Sequence, residues 1–325
     1  MIAFVRRKGH EIDGLYLVEP DGSNLRRVET GALWLLEPSW SPDGAAIVGV
    51  GRTKTWDDPA DFIGQLNVLS LDGTRERITE DRASKLRPTW AASGEVVFDR
   101  AVGRSGYHLS GVRPDGSGLR QITGPPMPEP APLQPITSVR GWTAYEPIGG
   151  SIDGPMPEAE EAPSVSPDGG TILFVRPTTR AREHASRTGS AHHLWACAAD
   201  GSDIRQLTDG DVHDMDPAWS PDGTLVAFTR WSEDEPMVPD GFGGADSPVH
   251  VFLMRPDGTD VHRLTDEPAG YMDPSWSPDG AAIACSGIGP NGTRIVAVDA
   301  RTGAVTPVTS PVRDGDYHPA WRPIR

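Results

Sequence analysis

Long hydrophobic runs, cysteine and basic charge are all scarce in this sequence. No apolar stretch approaches the roughly 18 residues that mark a membrane-spanning helix, so no membrane partner is expected. The N-terminal run Ile2-Ala3-Phe4-Val5 precedes its charges, Arg6-Arg7-Lys8. It is also shorter than the roughly 7–15-residue core of a secretory signal, so a cytoplasmic location is expected. The two cysteines, Cys197 and Cys285, are too few for a disulfide framework. Lys and Arg number 30 against 46 Asp and Glu, a formal charge of −16. Such a surface repels phosphate backbones, which argues against nucleic acid and favours cationic ligands, metal ions or basic proteins. The plainer reading is that this charge keeps the protein in solution.

What is abundant is punctuation. The chain has 37 Gly and 32 Pro, and its apolar residues come in short runs, the profile of many strands joined by turns. One pattern, x-Pro-x-Trp-Ser-Pro-Asp-Gly before an apolar run, occurs at Trp40–Gly44, Trp219–Gly223 and Trp276–Gly280. Val165–Gly169 repeats it with Val for Trp, and degraded copies stand at Trp90 and Trp321. A second pattern, an apolar strand followed by Asp-Gly and a short strand usually ending in Thr, centres on Gly22, Gly73, Gly116, Gly201, Gly258 and Gly303. The two patterns alternate six times. Each unit reads as four antiparallel strands, a to d, with Pro presetting φ and Gly accepting positive φ in the turns.

Six such units describe an all-β, six-bladed β-propeller of four-stranded antiparallel blades. The chain begins with strands b, c and d (Ile2–Val5, Leu15–Val18, Leu25–Val28) and ends just after an a strand containing Trp321. Pairing the C-terminal a strand with the N-terminal b-c-d strands completes the sixth blade and removes exposed sheet edges. Residues 1–325 are therefore expected to form one propeller domain. A Pro-rich acidic insertion at about 124–163 holds 10 prolines, six acidic residues and one basic residue, Arg140.

These repeats resemble the TolB-like β-propeller family, over nearly everything except residues 124–163. The resemblance implies the fold and leaves activity open, because the family spans translocation proteins, peptidase-associated propellers and metal-dependent lyases. Its peptidase members add an α/β-hydrolase domain, for which no residues remain, and the sequence has no Gly-x-Ser-x-Gly elbow.

In such a blade the a–b and c–d turns share one face. The repeated Ser and Asp of these turns, Ser220 and Asp222 among them, are explained by turn chemistry. Function is expected on the opposite face, where the longer b–c and d–a loops lie. Trp34, Trp56, Trp142 and Trp231 fall there and could form a platform for a ligand, or simply pin loops to the rim. The residues before the repeat prolines, Glu37, Arg87, Ala162, Asp216, Asp273 and His318, are expected to ring the channel mouth. Two similar loops, Asp209-Gly210-Asp211-Val212-His213 and Asp314-Gly315-Asp316-Tyr317-His318, are read as bringing His213, His318, Asp216, Asp273 and Asp316 to one arc. Two imidazoles with carboxylates suit Mn, Fe or Zn better than Ca, whereas capping of turns by the same residues needs no metal. His108, His193 and His250 occupy equivalent places on c strands and cannot converge on one ion. Two readings follow. In one, a propeller scaffold binds a small-molecule or protein ligand through Glu37, Arg87 and the four tryptophans. In the other, a divalent-metal-dependent lyase or hydrolase uses His213, Asp216, Asp273 and His318.

Overall fold

Short apolar segments cannot bury themselves individually, so they pair into small sheets and the sheets pack on one another. The computed structural model describes residues 1–8, 11–31, 33–53, 63–81, 83–101, 106–124, 133–136, 144–147, 159–179, 190–232, 238–239, 245–246, 248–266, 270–289, 291–312 and 315–323. These residues form six four-stranded antiparallel sheets and two small hairpins. No helix among them is long and apolar enough to cross a membrane.

Each four-stranded sheet is a blade, numbered here by its innermost strand. Blade 1 runs outward through Leu33–Trp40, Ala46–Thr53, Gln65–Ser70 and Arg75–Arg77. Blade 2 comprises Lys85–Trp90, Val96–Ala101, Tyr107–Val112 and Arg120–Gln121. Blade 3 comprises Glu161–Val165, Thr171–Thr179, Ser190–Ala198 and Arg205–Gln206. In blade 4 the order is His213–Trp219, Val226–Trp231, His250–Met254, His262–Arg263, and in blade 5 Gly270–Trp276, Ala282–Gly289, Gly292–Asp299, Val305–Pro307. Blade 6 joins the two ends: Asp316–Trp321 pairs with Ile2–Lys8, which continues to Glu11–Val18 and Arg26–Arg27. Ile2 opposes Trp321 and Arg6 opposes Asp316, so the ring closes as the repeats require.

Alternate residues of a strand face opposite sides of its sheet, so every blade offers one apolar face to each neighbour. The buried residues accordingly fall into six clusters, one per seam. Val48, Val50 and Leu66 of blade 1 meet Val96, Phe98 and Val112 of blade 2, for example. The closing seam joins Ala284, Ile295 and Val308 of blade 5 to Ile2, Phe4 and Val18. Each large side chain buried in this way contributes about 1.5–3 kcal/mol.

The repeat residues have structural tasks that link the blades. Trp40, Trp90, Trp219 and Trp276 donate their Nε1–H to the carbonyls of Ala320, Ser39, Ser164 and Ala218 of the preceding blade, at 3.1, 3.1, 3.2 and 3.0 Å. Blade 3 has Val165 at this position and no such staple. In five of the six blades the threonine after the outer strand accepts from a third-strand N–H, as Thr123 does from Leu109 at 3.0 Å and Thr309 from Ile295 at 2.9 Å. In the a–b turns the serine hydroxyl donates to the aspartate two residues on (Ser220 to Asp222, 2.7 Å) and accepts the N–H that starts the second strand (Leu225, 2.9 Å). Gly223 follows at φ 71°, where a side chain would be strained.

The excursion between blades 2 and 3 contains a hairpin, Leu133–Ile136 with Ala144–Pro147. Its far end already belongs to the ring, because Ala159 and Glu160 are buried and Glu161–Val165 is the innermost strand of blade 3. The remainder of 124–163 lies outside the described residues.

Candidate functional site

The innermost strands share a distortion that aims side chains at the axis. In every blade the residue before the repeat proline has positive φ: Glu37 50°, Arg87 46°, Ala162 53°, Asp216 51°, Asp273 55° and His318 52°. Pairing with the second strand slips a register at each of these points. Such a conformation costs a non-glycine residue roughly 1–2 kcal/mol and persists only where the surroundings impose it. Ala162 shares it while carrying no functional group, so the bulge belongs to the architecture and the side chain it presents is free to vary.

All six of these residues line one central cavity of about 410 Å³. From this collar the cavity passes the six repeat prolines and reaches Trp219, Trp276, Trp321 and the turn residues Pro167, Pro221, Pro278 and Pro323. It thus lies between the collar and the Ser-Pro-Asp-Gly face, whereas the sequence pointed to the loop-rich face. Much of that opposite face lies outside the described residues.

The collar is electrostatically divided. On one side Arg87 Nη1 donates to Asp99 Oδ2 at 3.0 Å and to Glu161 Oε2 at 2.8 Å, and the Arg87 backbone N–H donates to Glu37 Oε2 at 2.6 Å. Burial works against the guanidinium, but Asp99, Glu161, Asp216 and Glu37 together hold its pKa above the ordinary value. Asp99 is fully buried, and burial pushes its carboxyl well above the usual range despite Arg87. On the other side His318 Nδ1 lies 3.2 Å from Asp273 Oδ1. Asp273 Oδ2 accepts from the Ser286 hydroxyl at 2.7 Å and the His318 N–H at 3.3 Å.

Burial alone would raise Asp273, but the charge and hydrogen bonds of His318, with Ser286, bring it down to about 2. Burial likewise opposes the His318 imidazolium, yet Asp273, then Glu37 and Asp216, lift it to about 9. Among the described residues the Thr229 hydroxyl at 3.2 Å is the close polar partner of Asp216, and burial and the charge of Asp273 push it up to about 6. Arg87 therefore does reach Asp216 through its field, although its ion pairs are with Asp99 and Glu161.

Five expected site residues thus meet here with Ala162: Glu37, Arg87, Asp216, Asp273 and His318. His213 does not join them. It is buried in the seam between blades 3 and 4, stacked on Trp231 at 3.8 Å and 5°, with its Nδ1 3.1 Å from Nδ1 of His192. Asp316 is also buried away from the cavity, held by Arg6 at 2.7 and 2.8 Å and by the Thr309 hydroxyl at 2.7 Å. The physical reason is register: aligned on their prolines, His318 matches Asp216, whereas His213 matches Gly315 and Asp316 matches Asp214. Asp214 duly repeats the Asp316 arrangement, accepting from Arg230 at 2.6 and 3.0 Å. Trp34 is buried in an inner strand and Trp231 lies against His213, while Trp56 and Trp142 lie outside the described residues. His108, His193 and His250 stay apart: His108 faces Glu160 at 3.1 Å, His193 lies 4.0 Å from Asp214, and His250 meets Arg263 at 2.6 Å.

Sequence reading missed Asp99, Thr229 and Ser286, the second-strand groups that brace the collar. Each follows a fully buried residue of its strand (Phe98, Phe228, Cys285), and that polar interruption is the signal that marks them. His318 is held as an imidazolium by Asp273, and no group of three or more His, Cys, Asp or Glu among the described residues is placed to hold an ion. Both cysteines are buried and burial pushes both thiols up, so neither supplies a thiolate.

No family model matches the chain. Among curated proteins it is 35% identical over 127 residues to the uncharacterized protein Atu1656 of Agrobacterium fabrum, covering 38% of this chain and 38% of that one. It is 27% identical over 145 residues to a protein TolB homolog of Chlorobium luteolum, covering 36% of this chain and 31% of the relative. The matched stretches span 15–38% of the curated relatives' own lengths. Among solved structures, TolB from Acinetobacter baumannii matches 99% of this chain and 66% of its own, with a TM-score of 0.66 at 16% identity. With its six sheets, its ring closed by the terminal strands and this structural likeness, the chain has the fold of the TolB-like six-bladed β-propellers.

Proposed function

We propose that the protein is a binding propeller whose collar receives a cationic group of a small-molecule or protein ligand. The observation that carries this reading is the state of Asp216. Its carboxyl is pushed up to about 6 by burial and by Asp273, and no basic side chain among the described residues pairs with it directly. Among the residues lining the cavity, the carboxylates Glu37, Asp216 and Asp273 outnumber the cationic side chains Arg87 and His318. A bound cation would favour ionised Asp216 and so displace its proton.

The test is isothermal titration of a simple ammonium ion in two buffers of different ionisation enthalpy. Binding should release about half a proton near pH 6, where Asp216 is half-protonated, and almost none at pH 8. Asp216→Asn should remove the release and weaken binding about 10–100-fold, the loss of one charged hydrogen bond of about 1.5–3 kcal/mol. Binding with no proton release at either pH would overturn the reading.

A divalent cation is the second occupant, favoured by two carboxylates, Asp216 and Asp273, facing one cavity. It would need His318 to lose its proton and leave Asp273, and a lyase or hydrolase activity would depend on it. Mn, Zn or Ca should then raise the melting temperature, and EDTA should lower it. Indifference to all three ions sinks this second reading and leaves the first intact.

A further inference from the structure

The cavity below the collar carries polar groups of its own, and their placement narrows the ligand. The residue after each repeat proline lines it: Ser39, Thr89, Ser164, Ala218, Ser275 and Ala320. Blades 1 to 3 therefore set three hydroxyls side by side, while the strands carrying Asp216 and His318 offer methyl groups below the collar. In a ring of six, blades 1 and 2 stand across the channel from blades 4 and 5. Ser39 and Thr89 thus lie on the wall opposite Asp216 and Asp273. Ser39 accepts the Trp90 N–H at 3.4 Å and Ser275 the Trp321 N–H at 3.1 Å, which leaves each hydroxyl its proton to donate. Thr89 and Ser164 are half-buried, and their hydroxyls make no hydrogen bond among the described residues.

Resting on the reading of the collar as a cation site, we propose that the ligand is a polyhydroxylated amine of the amino-sugar class. Its ammonium sits against Asp216 and Asp273, and its hydroxyls meet Ser39, Thr89 and Ser164 on the opposite arc. Hydroxyl suits hydroxyl here, because each can both donate and accept. An alkyl body would take water from the wall hydroxyls and return no hydrogen bond. A body bearing a carboxylate would meet the wrong charge. Arg87 is already paired with Asp99 and Glu161, and His318 with Asp273, while Glu37 adds a further carboxylate to the cavity. The volume of about 410 Å³ is of the size that holds a small organic molecule.

The experiment is a titration series on the full chain near pH 6, with glucosamine, cyclohexylammonium, methylammonium and glucose. Cyclohexylammonium keeps the ring and the charge without hydroxyls, and glucose keeps the hydroxyls without the charge. Glucosamine should bind at least tenfold more tightly than each of the other three. Thr89→Val and Ser164→Ala should each weaken glucosamine about two- to tenfold, the conversion of a net hydrogen bond of about 0.5–1.5 kcal/mol. The ratio of glucosamine to methylammonium affinity should fall by the same factor in each variant. If a variant does not fold, the ligand series in the parent decides alone. Cyclohexylammonium or methylammonium binding as tightly as glucosamine would overturn this inference and leave the collar reading standing, as would parental glucosamine affinity in both variants. Glucose binding as tightly as glucosamine, or no binding of any amine, would overturn the collar reading itself and the present inference with it.

Discussion

Replacing Trp276 with Phe isolates one inter-blade staple. The Nε1–H of Trp276 donates to the Ala218 carbonyl at 3.0 Å, and the side chain is 9% exposed. Phe keeps most of the apolar packing but removes the donor and leaves the carbonyl buried without it. A net hydrogen bond is worth about 1 kcal/mol, an orphaned buried acceptor costs about 1–3 kcal/mol, and the two overlap, so about 2 kcal/mol is expected. Unfolding entropy of about 2.1 cal/mol/K per residue over 325 residues makes this about 3 °C in melting temperature. Trp321 supplies the control: its Nε1 is buried without an acceptor among the described residues. Trp321→Phe removes an unsatisfied donor, loses the same ring volume and should cost well under half as much. Urea unfolding at unchanged m-value measures both variants. Should Trp321→Phe destabilise as much as Trp276→Phe, the indole would act through bulk alone and the staple argument fails.

Deleting residues 316–325 removes the innermost strand of blade 6 and uncovers the edge of Ile2–Lys8, so the truncated chain should lose its cooperative transition; melting at the parent temperature would refute closure. Arg230→Ala leaves Asp214, which has no exposed surface, as a buried charge without its bidentate partner. A loss of about 3–5 kcal/mol in urea unfolding is expected, and a loss below 1 kcal/mol would refute it. The pKa of His318 is raised from 6.5 to about 9, so the stability contributed by its pair with Asp273 is full below pH 6.5 and lost as pH rises through 9. Because the imidazole is 44% exposed, about 1 kcal/mol is expected after solvent screening. Stability measured from pH 6 to 10 should therefore fall in the parent and stay flatter over that window in Asp273→Asn.

The fold was legible because each repeat encodes a complete blade. The proline in x-Pro-x-Trp marks the inner strand, Ser-Pro-Asp-Gly its turn, and the alternating apolar residues of Ile2–Val5 or Val226–Phe228 the two faces that meet neighbouring blades. The collar was legible for the same reason, since counting back one residue from each proline finds all six axis-facing positions. His213 misled because the Asp-Gly-Asp-x-His loops look alike, while strand register is set by the proline and places His213 three residues from the collar position. The side of the channel holding the cavity was not legible either. It depends on the positive-φ bulge, which no residue type announces, since Glu, Arg, Ala, Asp and His all adopt it here. Asp99 escaped notice because a lone acid in Val96-Val97-Phe98-Asp99-Arg100 reads as a strand edge until Arg87 is seen against it.

Whether the collar is a cation site is tested most directly by diffraction from crystals soaked with 4-bromobutylamine, whose bromine gives an anomalous signal. The expected map places the nitrogen within hydrogen-bonding distance of Asp216 and Asp273. The bromine should lie beyond Pro217 and Pro274, toward the Ser-Pro-Asp-Gly turns. A bromine peak only on the outer rim, or a ligand lying with its nitrogen away from both carboxylates, would contradict it.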